Sequence, residues 1–266
     1  MQLYMSYPKP FELLGYQKRM AQAEQRINFK SLKASCKNCS LVELCLPRGL
    51  NKTDLGALDD VIQQRRLVQK GETIFRQGES SGCVYAVRSG SVKTFTTAKN
   101  GEEQILGFHL PGELLGLDGL DNQIHSCSGI SLDTTTICEL PINDLNVLCV
   151  KIPGLQRQLL SLISDEITKD HTMLLLLARR NAEQKLATFL VSLSGRFKAR
   201  GYSATEFDLT MSRYDIGNYL GLADETVSRL ISKFRVNKVL DANRKKISIL
   251  NHKLLCEIAE GDKSLA

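Results

Sequence analysis

One segment constrains the fold of this chain more than any other: LTMSRYDIGNYLGLADETVSRLISKFRVNKVL, residues 209–240. Ser212 is suited to cap a first helix, with Asp215 three residues later as the acidic partner of a capping box. Gly221 then supplies the turn between two packed helices. A second helix is predicted over residues 224–237. The apolar residues that would pack the pair together are Ile216, Leu220, Leu222, Val227, Leu230 and Ile231. The pattern predicts a helix-turn-helix.

The second predicted helix presents one polar face that is suited to contact DNA bases. Glu225, Ser228, Arg229 and Ser232 follow the spacing i, i+3, i+4 and i+7, so they line the same side of the helix. A recognition helix reads bases from its N-terminal turns, where arginine can bond guanine and glutamate can accept from cytosine. The basic residues available for phosphates and a flanking wing are Lys233, Arg235, Lys238, Arg244, Lys245 and Lys246.

The rest of the chain divides into segments that differ in the spacing of their apolar residues. Residues 67–150 are short β-prone runs broken by glycine turns, which is typical of a small antiparallel barrel or sandwich. From about residue 156 to 193, apolar residues recur at helical spacing and predict one long helix. A formal net charge of +6 suits a chain in which one domain meets nucleic acid. We predict an α+β chain with an N-terminal extension (1–30), a cysteine loop and β domain (31–155), a helix (156–193) and a DNA-binding domain (194–266).

Three of the eight cysteines form a tight group, Cys36, Cys39 and Cys45, with the spacing C-x2-C-x5-C. Two sulfurs separated in this way reach one soft metal centre without strain. Iron–sulfur clusters and structural zinc both normally take four protein ligands. The spacing alone does not decide between them, and it leaves the fourth ligand open among Cys83, Cys127, Cys138, Cys149 and Cys256.

The predicted long helix carries an apolar seam that should pair with its twin in a symmetric dimer. The seam residues are Leu159, Ile163, Ile167, Leu174 and Leu177. Asp170 interrupts the seam next to Ile167. Facing its symmetry mate, Asp170 would bring two carboxylates together, which costs stability. The alternative is a helix that packs only on its own β domain.

The chain resembles the FNR/ANR group of the CRP/FNR superfamily, which are oxygen-sensing bacterial regulators. The resemblance runs from about Ser35 to Glu257. It includes the segments CKNCSLVELCLP, FHLPGELLGLDGL, CELP, RRNAEQKLATFL and MSRYDIGNYLGLADETVSRL. It implies an antiparallel β-roll (double-stranded β-helix) as the sensor domain, a long dimerisation helix and a C-terminal winged helix-turn-helix.

The same resemblance implies a set of functional residues. It assigns a [4Fe–4S] cluster to Cys36, Cys39, Cys45 and Cys138, and gives the other four cysteines no ligand role. It assigns base reading to the residues Glu225, Ser228 and Arg229, on a palindrome with half-sites like TTGAT. Asp224 departs from the family, which often has valine there, so this is the position where we expect the fine sequence preference to differ.

The resemblance also implies how the protein is switched. The cluster-bound form would be a homodimer that binds double-stranded DNA and RNA polymerase, and that activates or represses anaerobic metabolism genes. Asp170 would keep the cluster-free form monomeric. Oxygen would destroy the cluster, weaken the dimer and release the DNA.

Other classes of protein fit the sequence less well. A regulator that binds a cyclic nucleotide needs an arginine for the phosphate after the Gly112 turn, and none occurs between Arg88 and Arg157. A CRP-like regulator with another small-molecule signal or a zinc-based signal remains the alternative, and haem sensing would rely on one of four histidines. An iron–sulfur electron carrier would not need the helix-turn-helix.

We find no nucleophile elbow, phosphate loop or carboxylate pair that indicates an enzyme. The chain shows no signal peptide or membrane span, so we expect a cytoplasmic location.

Overall fold

The structure, a computed structural model, describes residues 35–62, 64–121 and 123–265. The N-terminal extension predicted over residues 1–30 therefore lies outside the described residues. None of the helices in the described ranges is long and apolar enough to cross a membrane.

Two four-stranded antiparallel sheets form the β-roll that the resemblance predicted, and that part of the prediction is confirmed. One sheet has the order β1 (Gln64–Val68), β8 (Thr135–Pro141), β3 (Cys83–Ser89) and β6 (Leu114–Leu115). The other has the order β2 (Thr73–Phe75), β7 (Ser128–Ser131), β4 (Val92–Thr97) and β5 (Glu103–His109). Alternate residues of the strands point into the roll, as in Val84 and Ala86 of β3. Two helices, α1 (Lys52–Val61) and α2 (Ile142–Lys151), contribute Leu58 and Leu145 to the same core.

The single helix predicted over residues 156–193 is wrong, because the chain forms two helices there. These are α3 (Pro153–Arg179) and α4 (Ala182–Ala199). Arg180 is extended between them, with φ −98° and ψ 143°. Asn181 then starts α4 with a complete capping box, in which its side chain accepts from the Gln184 backbone N–H and the Gln184 side chain accepts from the Asn181 N–H.

The C-terminal domain is a winged helix-turn-helix, as predicted. Its elements are β9 (Glu206–Asp208), α5 (Arg213–Leu220), α6 (Asp224–Val236), β10 (Leu240–Asn243), β11 (Lys246–Ile249) and α7 (His252–Glu260). The capping box is present: the Asp215 N–H donates to Ser212 Oγ at 3.0 Å, and the Ser212 N–H donates to Asp215 Oδ2 at 2.9 Å. Gly221 ends α5 in the left-handed region at φ 63°. A Cβ on Gly217 would lie 2.6 Å from the Leu222 carbonyl oxygen, so glycine permits the close approach of the two helices.

The dimer seam predicted on the long helix is only partly exposed. Leu159 is 8 % exposed and packs in the core of its own β-roll, so its predicted place in the seam is wrong. Leu160, Ile167 and Leu174 instead form an exposed row along α3, with 59 %, 50 % and 65 % of their surfaces accessible. Their spacing of seven residues is that of a coiled-coil position.

Candidate cysteine site and nucleic-acid interface

The four cysteines assigned to the cluster line one cavity between the cysteine loop and the β-roll. Cys36, Cys39 and Cys45 come from the loop, which begins with a 3₁₀ turn over Cys36–Asn38. Cys138 lies on β8, in register with Ala86 of the neighbouring strand β3. Folding thus brings together sulfurs from two segments that are far apart in the sequence.

Three contacts hold the cysteine loop in place. The Asp59 carboxylate on α1 accepts from Ser35 Oγ at 3.0 Å and from the Cys36 backbone N–H at 2.5 Å. Leu46 is 1 % exposed and is packed in the core of the roll. Leu44 lies over Gly112, where an added Cβ would come within 3.0 Å of the Leu44 Cβ.

Burial raises the pKa of two of these thiols, Cys36 and Cys45. Burial is the main cause that raises the pKa of Cys36, and the nearby Asp59 raises it further. Burial also raises the pKa of Cys45 to about 12, and the proximity of Cys138 and Cys39 adds to the effect. Metal binding would therefore release protons from Cys36 and Cys45.

Arg88, which the sequence did not single out, also lines this cavity. Its guanidinium donates from Nη1 to Cys39 Sγ at 3.6 Å. Among the described residues that line the cavity, it is the only one with a charged side chain. No local signal in the sequence indicates this contact, because 49 residues separate the two partners.

The other four cysteines lie outside this cavity in the described structure. Cys127 is buried near Asp118, and burial together with that carboxylate raises the pKa of Cys127 to about 12. Cys256 lies on α7, with its sulfur 3.6 Å from His252 Nδ1. Within residues 35–62, 64–121 and 123–265, no three His, Cys, Asp or Glu side chains are placed to hold a single metal ion.

The segment that follows the Gly112 turn carries a carboxylate, Asp118, which is hydrogen-bonded within the chain. Asp118 accepts from the Ser126 backbone N–H at 2.6 Å and from Ser126 Oγ at 3.0 Å. His125 lies 3.4 Å from the same carboxylate and stacks on Phe75 at 4.1 Å between ring centroids. Asp118 adds a negative charge to this segment, which disfavours an anionic ligand beside it.

The predicted base-reading residues form an exposed face on α6. Glu225, Ser228 and Arg229 are all exposed, and so is Asp224 in the first turn. Val227 and Ile231 on the opposite side are buried against α5. The helix therefore presents the polar face that its periodicity predicted.

The basic residues around α6 divide into two groups. Lys233, Arg235 and Lys246 form ion pairs with Glu183, Asp241 and Glu206 at 3.0 Å. Within the part of the chain that the structure describes, Lys238, Arg244 and Lys245 form no ion pair. Of these three, Arg244 and Lys245 form the tip of the β10–β11 wing, and are the best placed of the wing residues to meet phosphates.

The helix-turn-helix packs against its own β-roll through α5. Lys93 Nζ on β4 lies 2.8 Å from Asp215 Oδ1, and both side chains are largely buried. Asn218 Oδ1 accepts from the Ile105 N–H at 2.6 Å, and its Nδ2 donates to the Glu103 carbonyl at 2.7 Å. The position of the DNA-binding domain is thus set by specific polar contacts with the edge strand β5.

Glu113 makes a second connection between the two domains. Its carboxylate binds Arg196 at 2.6 Å and Arg200 at 2.6 Å, both on α4. Burial alone raises the pKa of Glu113, but Arg196 and Arg200 outweigh it and hold the pKa at about 2. Because Gly112 supports Leu44, this ion-pair group lies next to the contact that holds the cysteine loop.

Asp170, the predicted dimer switch, is exposed on α3 one turn after Ile167. Partial burial raises its pKa above the ordinary value of an aspartate, and the Glu166 carboxylate one turn earlier raises it further. A second Asp170 from a partner chain would add another like charge at this point.

A β-roll, a long helix and a winged helix-turn-helix with an exposed polar face on α6 together define a DNA-binding transcription regulator. The comparisons agree with this class. The family model of the cyclic nucleotide-binding domain matches residues 65–151, and that of the Crp-like helix-turn-helix domain matches residues 184–258.

Known relatives place the chain within this class. It is 51 % identical to the transcriptional activator protein Anr of Pseudomonas protegens, over 86 % of this chain and 93 % of that protein. It is 44 % identical to the fumarate and nitrate reduction regulatory protein of Vibrio cholerae, over 89 % of this chain and 95 % of that protein. The structure of FixK2 from Bradyrhizobium japonicum matches with a TM-score of 0.68 at 29 % identity, over 73 % of this chain and 96 % of that one. The chain therefore belongs to the CRP/FNR family of transcription regulators, in its FNR/ANR group.

Proposed function

We propose that this protein is an oxygen-responsive transcription regulator that binds a [4Fe–4S] cluster and, as a dimer, binds palindromic DNA in the absence of oxygen. The observation that carries the proposal is the meeting of Cys36, Cys39, Cys45 and Cys138 at one cavity, in a chain whose recognition helix is exposed. The names of its relatives, which include an anaerobic regulatory protein of Haemophilus influenzae, support a role in anaerobic gene control.

The donor set at the cavity suits an iron–sulfur cluster. Four thiols line it, and none of the described lining residues is a histidine or a carboxylate. In a cluster each thiolate binds its own iron, so the sulfurs need not converge on one ion as around zinc. A bound cluster supplies an oxygen-labile redox centre. Cys36, Cys39 and Cys45 would hold it from the loop, and Cys138 would hold it from the sheet.

The DNA-binding face suits half-sites that resemble TTGAT. Arg229 can donate to guanine, Glu225 can accept from an exocyclic amine, and Ser228 can serve either role. In a symmetric dimer, two copies of α6 would enter major grooves about one turn of DNA apart. We infer from the family resemblance that the bound dimer also contacts RNA polymerase, and that the protein acts in the cytoplasm.

The described contacts offer a route from the cysteine loop to the DNA-binding domain. Leu44 lies beside Cys45 and packs on Gly112, and Glu113 next to it binds the arginines of α4. We infer that a change in the position of the cysteine loop is passed through these contacts to the proposed dimer helix α3 and to the DNA-binding domain, and changes their positions.

Anaerobic reconstitution followed by exposure to air tests this function. We expect about four irons and four sulfides per chain, a brown chromophore and tight binding to a TTGAT palindrome. Air should bleach the chromophore and weaken binding to that DNA. An unchanged chromophore with unchanged DNA affinity in air would reject the proposal, and a colourless protein with bound zinc would favour a zinc-based signal.

Replacing Arg229 by alanine is expected to lower discrimination between the palindrome and a site with its guanines changed, by about 1–3 kcal/mol. The reason is the loss of a bidentate contact to a base. Arg244→Ala at the wing is the control, because losing a phosphate contact should weaken binding to both sites equally and reduce its dependence on salt. Fluorescence anisotropy with both duplexes at two salt concentrations measures this. If Arg229→Ala lowers the affinity for both duplexes equally, the assignment of Arg229 to base reading is contradicted.

Replacing Asp170 by alanine is expected to let the cluster-free protein dimerise, with a dimer dissociation constant at least about tenfold lower than in the wild type. The substitution removes the Asp170 carboxylate from each chain, so two like charges no longer face each other in the proposed seam. Ile167 and Leu174 remain there as apolar contacts. Asp165→Ala on the same helix is the matched control, because Asp165 lies away from that row. Sedimentation velocity of the cluster-free proteins measures the change, and a monomeric Asp170→Ala protein would count against a seam role.

A further inference from the structure

We propose that Arg88 is a positioning residue of the cysteine site, whose guanidinium donates to the Cys39 sulfur and neutralises part of the negative charge of the bound cluster. This inference rests on the proposed cluster and deepens it. The carrying observation is the contact of 3.6 Å between Arg88 Nη1 and Cys39 Sγ.

The surroundings of Arg88 make its charge effective. Apart from Arg88 and Ser35, the described residues that line the cavity have apolar or thiol side chains, among them Leu41, Val42 and Leu140. Charges interact more strongly in such surroundings than in water. A half-buried arginine normally has a carboxylate partner, but among the described residues no carboxylate forms an ion pair with Arg88.

The charge balance of the site explains why such a donor is needed. A cubane core held by four thiolates carries a net negative charge. The charged side chain that α1 places beside the site is also negative, so it does not stabilise such a cluster. That charge is the carboxylate of Asp59, which accepts a hydrogen bond from the Cys36 backbone N–H. Arg88, on β3, carries the opposite charge and contacts the Cys39 sulfur.

The strand geometry holds Arg88 in position. It lies at a register shift between Val87 and Ser89 of β3, two residues after Ala86, which is in register with Cys138 on β8. Arg88 and Cys138 therefore lie on neighbouring strands of one sheet, and the Arg88–Cys39 contact ties the cysteine loop to that sheet. Hydrogen bonds to cluster sulfurs are an established way in which proteins tune such centres.

The test compares iron release from reconstituted protein to an iron chelator under strictly anaerobic conditions. We expect Arg88→Met to release iron about tenfold faster than the wild type, because a hydrogen bond to a charged group is lost. Arg88→Lys should be intermediate, because it keeps the charge but not the planar fork. Arg76→Met is the matched control, since Arg76 is exposed on the same roll and pairs only with Glu79 in the described structure.

The outcomes separate this inference from the proposed function. Equal release rates for Arg88→Met and the wild type would overturn the inference, as would equal acceleration by Arg76→Met. If Arg88→Met takes up no iron, while its cluster-free melting temperature equals that of the wild type, the inference is supported. If the wild-type protein takes up no iron, the cluster itself is rejected. This result needs only the wild type, so it is distinct from the result for Arg88.

Discussion

A chain in which Cys138 is replaced by serine is expected to retain less than about one iron after anaerobic reconstitution, against about four in the wild type. A serine hydroxyl is a much poorer ligand than a thiolate for a soft metal centre. Cys138 is held by pairing of β8 with both β1 and β3, so the strand cannot shift to bring another donor into the cavity. Iron and sulfide analysis with the visible spectrum measures the loss, and binding to the palindrome should fall to the cluster-free level.

Cys83→Ser is the matched control for this prediction. Cys83 is also half-buried and lies on the neighbouring strand β3, but it is outside the cavity. We expect this variant to bind iron like the wild type. Full iron in Cys138→Ser, or loss of iron in Cys83→Ser, would show that the fourth ligand is wrongly assigned.

The helix-turn-helix was predictable because its signals are local. The capping box of Ser212 with Asp215 and the turn at Gly221 lie within ten residues, and all of them have the predicted geometry. The break between α3 and α4 was missed although it also has a local signal. Asn181 followed three residues later by Gln184 is a capping-box pattern, and it was overlooked because apolar residues recur on both sides of it.

The cysteine site was predictable only in part. The loop cysteines stand out by their spacing, but spacing left five candidates for the fourth ligand, and resemblance selected Cys138. Strand pairing places Cys138 at the loop, and such pairing depends on the whole roll. The contact of Arg88 with Cys39 has no local signal for the same reason. Leu159 was placed in the dimer seam because helical periodicity cannot tell a partner's surface from the chain's own core.

Replacing Glu113 by glutamine is expected to lower the free energy of unfolding at pH 7 by about 3 kcal/mol. The amide would leave Arg196 and Arg200 without a counter-ion, and the Arg200 side chain is only 4 % exposed. These partners lie 83 and 87 residues away in the sequence, so the variant also loosens the contact between the β-roll and α4. Urea unfolding measures the change. Glu79→Gln is the control, because its ion pair is exposed and should contribute less than about 1 kcal/mol.

The pH dependence gives a second and independent check on the Glu113 ion pairs. The folded-state pKa of this carboxyl is held at about 2, below its ordinary value of 4.5. The unfolded chain therefore takes up the proton first as the pH falls, and the stabilisation that is complete above pH 4.5 is lost progressively towards pH 2. The difference in stability between the wild type and Glu113→Gln should shrink over this interval, because the wild-type carboxyl also becomes neutral. If the difference in unfolding free energy between the wild type and Glu113→Gln stays constant from pH 7 to about pH 2.5, the charge of Glu113 does not stabilise the fold.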